Sequence, residues 1–248
     1  MVETAAIGTP PTLSTIRASG PVALFLDFDG TLVDIAPTPD SIMVPAALAR
    51  RLEEMAGRHH GRVALVSGRS VTDVRKHLGP TAIALAGSHG LERFRADSTP
   101  LEPHPAALPW AVADAVRAFA ERHPGLAYEE KSYGAALHYR AAPQLETETV
   151  AFAERVAAEH GLSVKRGKCV AELVPRGADK AGAVHAFMAE KAFLGAMPIF
   201  VGDDVTDEDG FRAADELGGF GVIVGEQPSA FARYRLATPA EVHAWLEL

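Results

Sequence analysis

The stretch Asp27-Phe28-Asp29-Gly30-Thr31 follows directly on the apolar run Val22-Ala23-Leu24-Phe25-Leu26. Two carboxylates, two residues apart at the tip of a buried strand, need a compensating charge, because an unpaired buried carboxylate is costly or becomes protonated. A divalent cation compensates them most simply, and an aspartate beside such a cation can attack phosphorus. The chemistry indicated is metal-assisted phosphoryl transfer, with Asp27 as nucleophile and Asp29 as general acid and then base. Gly30 and Thr31 would let the backbone close around a phosphate. Asp-Gly pairs also build plain turns, but a turn does not require a further aspartate at the strand tip.

A second acidic run, Gly202-Asp203-Asp204-Val205-Thr206-Asp207-Glu208-Asp209, places five carboxylates in seven residues. Held near Asp27, such a density of like charge calls for a cation. Oxygen donors with no Cys or His among them indicate a hard ion, Mg²⁺. Asp203 is the expected direct ligand, Asp204 and Asp207 are direct or outlying ligands, and Asp207 is also suited to cap the following helix. Ser67 can hydrogen-bond a phosphate oxygen, and Lys180 can neutralise both Asp27 and the transferring group.

The elements that must position these groups read as a parallel α/β sheet. Strands are expected at Val22 to Phe28, Val63 to Val66, Ile83 to Ala86, Ile199 to Val201 and Val222 to Val224, with near-continuous hydrophobicity that implies burial on both faces. Leu48, Leu52 and Met55 recur at helical spacing, as do Val71, Val74 and Leu78 behind a Ser70/Asp73 capping box, with Gly57 and Gly79 as helix ends. Further helices are expected from Lys180 to Phe193 and from Glu241 to Leu246. Each polar cluster follows a strand, and in an open α/β sheet the ligand crevice lies at the carboxyl ends of the strands.

Between about Pro103 and Val174 the rhythm changes to helix-strand-strand, twice over. Helical patterns at Trp110 to Phe119 and Leu145 to Val156 alternate with strand-like Leu126 to Glu130, Ala136 to Arg140, Leu162 to Arg166 and Cys169 to Leu173. An inserted α+β domain with a largely antiparallel sheet is expected, with Pro100, Pro103, Pro105, Pro175 and Gly177 as hinge residues. The expected division is a flexible leader over 1–20, a core over 21–103 and 175–248, and the insertion over 104–174. With 248 residues, 48% of them hydrophobic, the chain can bury a sizeable core. Its net charge of −8 argues against nucleic acid or an anionic membrane as partner. Cys169 is the single cysteine and is expected to be a small buried filler; with no signal-like start, the reading is a cytoplasmic monomer acting on a small molecule.

In this order along the chain, Asp27-Phe28-Asp29-Gly30-Thr31, Ser67, Lys180, and Gly202-Asp203-Asp204 with Asp207 resemble the four motifs of the haloacid dehalogenase superfamily of aspartate-nucleophile phosphatases. The insertion resembles that superfamily's C2-type cap domain. Val66-Ser67-Gly68-Arg69-Ser70, Ala86-Gly87-Ser88-His89-Gly90-Leu91-Glu92, Ala136-Leu137-His138-Tyr139-Arg140 and Gly167-Lys168-Cys169-Val170-Ala171-Glu172 narrow the resemblance to the trehalose-6-phosphate phosphatases. It extends from about Leu24 to the C-terminus.

The resemblance implies a Rossmann-like core, hydrolysis of trehalose 6-phosphate through a phosphorylated Asp27 as the last step of trehalose synthesis, and Mg²⁺ bound by the Asp27 carboxylate, the Asp29 carbonyl and Asp203. It implies that Ser67 and Lys180 hold the phosphoryl group, that Glu129, Lys131, Arg140, Lys168 and Glu172 grip the sugar hydroxyls, and that Arg69 and His89 touch substrate from the core. Glu129 and Lys131, two apart on one strand, share a face, and Lys168 and Glu172 are likewise in phase. Mixed donors and acceptors suit a neutral polyol. The competing readings are a phosphatase for another sugar phosphate such as sucrose 6-phosphate, a phosphohexomutase, and a receiver-like regulatory domain bearing a phosphoaspartate.

Overall fold

The computed structural model describes residues 7–36, 38–102, 106–131, 133–167 and 169–248. Lys168, assigned to the sugar by resemblance, lies outside the described residues, as do Pro103 and Pro105 of the expected hinge and the first six residues of the expected leader. The chain divides into two compact units, residues 1–103 with 179–248, and residues 104–178.

The large unit is a seven-stranded sheet. Its strands are β1 (Val22–Leu26), β2 (Val63–Val66), β3 (Ala84–Gly87), β4 (Glu92–Phe94), β9 (Met197–Gly202), β10 (Phe220–Val224) and β11 (Ala232–Leu236), in the spatial order β11-β10-β9-β1-β2-β3-β4. All neighbours run parallel except β4, which is antiparallel to β3. Every residue of β1, β2, β3 and β10 is buried, because helices cover both faces. On one face Leu24, Leu26, Val63 and Leu65 pack with Leu48, Leu52 and Met55 of α2 (Leu48–Arg58) and with Val71 and Val74 of α3 (Val71–Leu78). On the other, Phe25 and Val66 pack with Val184 and Phe187 of α6 (Lys180–Met188) and with Phe211 and Ala214 of α7 (Glu208–Glu216). The chain leaves β1 toward β2 on one side and returns to β9 on the other. The carboxyl end of β1 is therefore a topological switch point.

Two strands, β4 and β11, escape the apolar-run reading. Both are edge strands, carrying Glu92 and Arg93 or Arg233 and Arg235, and an edge needs charge to discourage further pairing. Helix α2 also runs through Gly57 to Arg58, and the chain reverses at His60 and Gly61, both with positive φ.

The expected flexible leader is corrected from residue 7 onward. Leu13 and Ile16 lie on one face of α1 (Leu13–Ala18) and are buried, and Thr12 caps the helix by accepting from the Thr15 amide. The Arg235 amide donates to the Gly8 carbonyl at 2.8 Å, and the Trp245 indole to the Pro11 carbonyl at 2.8 Å. Trp245 ends α8 (Pro239–Trp245).

The small unit is a four-stranded antiparallel sheet, ordered β5-β6-β8-β7, from β5 (Ala127–Glu130), β6 (Ala135–His138), β7 (Leu162–Gly167) and β8 (Val170–Pro175). One face, with Ala135, Leu137, Ala171 and Leu173, packs on α4 (Trp110–Arg122) and α5 (Glu146–His160), whose Phe119 and Phe152 rings stack at 3.9 Å. Pairing places Glu129 opposite Ala136, Ala136 opposite Glu172, and Glu172 opposite Lys165, so these residues share the other face. Cys169 departs from expectation: it is half-buried in the β7–β8 turn with φ 61°, where a backbone reversal rather than packing sets its place. Among the described residues no helix is long and apolar enough to cross a membrane.

Leu13→Ala should cost about 2–4 kcal/mol, as truncation of a buried leucine does. Chemical denaturation checks this; an unchanged midpoint would restore the flexible leader.

Candidate active site

The centre of the site is a buried ion triplet. Asp27 follows β1, is 5% exposed, and donates its amide to the Val201 carbonyl of the neighbouring β9. Lys180, the first residue of α6 and 2% exposed, donates from Nζ to Asp27 Oδ1 at 2.6 Å and to Asp207 Oδ1 at 2.5 Å. Its helix begins there because Asp179 caps it, accepting from the Gly182 amide at 2.7 Å. Asp207 is fully buried, and its Oδ2 accepts the amides of Asp203 and Asp204, each at 3.0 Å. Both Asp207 oxygens are thus committed, one to the lysine and one to the turn after β9.

Two glycines make room for this arrangement. Gly30 has φ +76°, and a Cβ there would collide with the Asp203 carboxylate; a Cβ at Gly202 would collide with that of Asp207. The Gly30 amide donates to Val33 at 2.7 Å, so this residue supplies space for Asp203 rather than a donor for phosphate. Asp204 is exposed, and its Oδ1 accepts the Val205 amide at 2.6 Å, which makes Asp204 the cap of the Val205–Asp207 turn. The expected cap, Asp207, has the reciprocal place in that capping box.

One ammonium does not balance the carboxylates. Burial pushes the Asp27 carboxyl well above its usual range; Lys180 opposes this, and Asp207 and Asp203 add to it. Burial, reinforced by Asp207 and Asp204, pushes Asp203 up to about 7. Burial also works against the Lys180 ammonium, but Asp207 and Asp27 outweigh it and hold its pKa above the ordinary lysine value. Asp27, Asp203 and Asp207 each offer an oxygen within 4.8 Å of the others. An all-oxygen set with surplus negative charge fits a hard divalent cation. With Asp207 already engaged, Asp27 and Asp203 are the side chains left to hold one.

The neighbouring strand ends add polar groups. Ser67, 1% exposed, follows β2, and its Oγ accepts the Arg69 amide at 3.1 Å. The hydroxyl of Thr31 is buried without a partner among the described residues, a suitable group for a phosphate oxygen. His89 follows β3 in a left-handed conformation, donates its amide to the Ser67 carbonyl at 3.1 Å, and has its ring against Gly68. Glu92 fixes this rim, accepting from the Val71 amide and the Ser88 hydroxyl at 2.7 and 3.0 Å.

Arg69, expected at the substrate, is paired within the protein. Its Nε and Nη2 donate to Asp29 Oδ2 and Oδ1 at 2.6 and 2.9 Å, and its Nη1 to Asp73 at 2.5 Å. Asp73 therefore leaves the expected capping box half made, with only the Ser70 oxygen accepting its amide. Asp29, expected to be the proton donor, accepts two guanidinium hydrogen bonds.

The trehalose-phosphatase family model matches residues 25–237, a span that includes every residue of this site. The chain belongs to the trehalose-phosphatase family. It is 38% identical over 245 residues to the trehalose-6-phosphate phosphatase of Escherichia coli K12, covering 97% of this chain and 91% of that one. It is 35% identical over 236 residues to the trehalose-phosphate phosphatase of Mycobacterium tuberculosis H37Rv, covering 89% and 59%. Its fold superposes with a TM-score of 0.77 on the C-terminal domain of the C. albicans trehalose-6-phosphate phosphatase, at 22% identity and 98% coverage of both chains.

In the small unit of this trehalose-phosphatase family member, Glu129 lies 2.7 Å from His138 Nε2 and 3.2 Å from Lys131 Nζ, and Lys131 is 4.0 Å from Glu172. The His138 hydrogen bond, with Lys131 beside it, holds the Glu129 carboxyl down at about 2. Arg140 is exposed in the turn after β6. His138 joins the polar face, whereas Tyr139 is buried and donates its hydroxyl to Glu146 at 3.2 Å. Lys165, paired opposite Glu172, shares that face and was not singled out from sequence.

Because the fold raises the Asp203 pKa above its ordinary value, the ionised group opposes folding increasingly from about pH 4 to pH 7 and fully above it. In chelator at pH 8, Asp203→Asn should therefore stabilise the protein by about 1–2 kcal/mol once solvent screening is allowed for. The difference should shrink toward pH 5, where Asp203 protonates. Denaturation midpoints measure both; a variant less stable than the parent at pH 8 contradicts the charge-crowding account.

Proposed function

We propose that the protein hydrolyses trehalose 6-phosphate to trehalose and phosphate, the last step of trehalose synthesis, with Asp27 forming a phosphoaspartyl intermediate. The observation that supports this most strongly is the buried Lys180 bridging Asp27 and Asp207, with Asp203 alongside, at the switch point of the sheet. In the first step the Asp27 carboxylate bonds to phosphorus, the phosphorus–oxygen bond to the sugar breaks, and Asp29 donates a proton to the leaving oxygen. In the second, Asp29 takes a proton from water as that water's oxygen bonds to phosphorus and Asp27 is released. Each Asp29 oxygen accepts one Arg69 N–H and keeps a second lone pair for the proton it carries.

Lys180, Ser67 and the Thr31 hydroxyl would hold phosphoryl oxygens, and His89 lies on the same rim. Mg²⁺, held by the Asp27 and Asp203 carboxylates and the Asp29 carbonyl, would neutralise charge on the phosphoryl group when bound. Glu129, Lys131, Arg140, Lys168 and Glu172 are assigned to the sugar hydroxyls. A carboxylate such as Glu129, ionised throughout the working range, accepts hydroxyl hydrogen bonds. A single cysteine and net negative charge fit a cytoplasmic enzyme without nucleic-acid or membrane partners, and a monomer is the working assignment.

Phosphate release should be fast from trehalose 6-phosphate, slow from glucose 6-phosphate and sucrose 6-phosphate, and lost in EDTA. Equal rates on all three would sink the trehalose assignment and leave a general sugar phosphatase. Asp27→Asn should lower turnover on the order of 10³-fold or more while leaving the fold intact, as loss of a covalent nucleophile does. Glu129→Gln and Glu172→Gln should raise KM for trehalose 6-phosphate about tenfold and leave p-nitrophenyl phosphate hydrolysis unchanged. Equal loss on both substrates would remove these residues from sugar recognition.

A further inference from the structure

At the opposite ends of the catalytic strands, Arg17, Arg58, His59, His60 and Arg62 line a cavity of about 260 Å³, with Gly20, Pro21 and Val22 completing its wall. Arg62 immediately precedes β2, and Pro21 and Val22 begin β1, whose far end carries Asp27. A strand of this length puts the cavity roughly 17 Å from the ion triplet. The chain as a whole is acidic, with 32 Asp and Glu against 24 Lys and Arg, so three arginines and no carboxylate around one cavity are a local reversal of sign.

The three guanidiniums have no carboxylate partner among the described residues. Arg17 donates to the Arg58 carbonyl at 3.5 Å, Arg58 to the Glu247 carbonyl at 3.0 Å, and Arg62 to the Val22 carbonyl at 3.3 Å. A cation at a helix C-terminus is ordinary, and Arg17 and Arg58 end α1 and α2. That accounts for two positions, but not for Arg62 or for the convergence of all three on one cavity. Each uses its backbone contact for a single N–H and retains further donors. The positive potential is also registered by His59, buried at 3% exposure: burial, with Arg17, Arg58 and Arg62 adding to it, pushes its imidazole down to about 4.

We propose that this cavity is a second anion site, which takes the phosphate group of a small phosphorylated molecule or free phosphate. A tetrahedral dianion matches three forked donors in charge and geometry better than a single carboxylate does, and the volume leaves room for the group that carries the phosphate.

Isothermal titration of the full chain in EDTA at fixed ionic strength, with inorganic phosphate in one arm and glucose 6-phosphate in the other, tests the site and separates its two sources. The parent should bind at least one of them with an affinity that Arg17→Gln/Arg58→Gln weakens roughly 30- to 100-fold, at about tenfold per guanidinium lost. Trehalose 6-phosphate turnover, and its inhibition by inorganic phosphate, should be the same in both proteins. Arg62→Gln, checked for an unchanged denaturation midpoint, should weaken binding independently. Binding of neither probe, or binding that the double variant leaves intact, overturns the site.

Discussion

A lysine ammonium held between two buried aspartates organises the large unit. Lys180 and Asp207 come from elements that follow different strands, and Asp27 from a third, so their meeting requires β1 beside β9 and α6 over both. Burial taxes all three charges, and the pair of short hydrogen bonds offsets it. Removal of the ammonium alone would strand two carboxylates, a change of the kind that costs about 3–5 kcal/mol. Asp207 extends the constraint: its second oxygen gathers the Asp203 and Asp204 amides and so fixes where Asp203 points.

The same centre stores unfavourable charge. Asp27 and Asp203 both resist ionisation, and Gly30 and Gly202 allow carboxylates nearer to the backbone than any other residue would permit. Such crowding is compatible with a divalent cation among these carboxylates, and without one it costs stability. The Arg69 pair with Asp29 adds a second constraint, since the Asp29 carboxylate is held by a guanidinium that Asp73 also steadies.

Much of this was legible in the sequence, for physical reasons. Central strands buried on both faces read as apolar runs, and the polar residues after them mark the carboxyl rim, which is why Asp27, Ser67 and Asp203 stood out; Lys180, at a helix start, stood out only through its order among the motifs. Edge strands β4 and β11 did not, because their charge erases the pattern. The Arg69–Asp29 pair was invisible because it joins residues far apart in sequence through side-chain geometry that no local spacing records. Likewise the capping duty expected of Asp207 falls to Asp204: either can cap, and only the three-dimensional position of Lys180 decides which is buried. The leader misled because it has no long apolar run, whereas two apolar residues at helical spacing, Leu13 and Ile16, suffice to dock one short helix.

The most direct test of the central claim is acid-quench mass spectrometry during turnover of trehalose 6-phosphate. A phosphate group on the peptide that contains Asp27, lost on hydroxylamine treatment and absent in Lys180→Met, is the predicted result. A phosphate on another residue, or active turnover with none trapped on Asp27 under conditions that preserve acyl phosphates, would contradict the account.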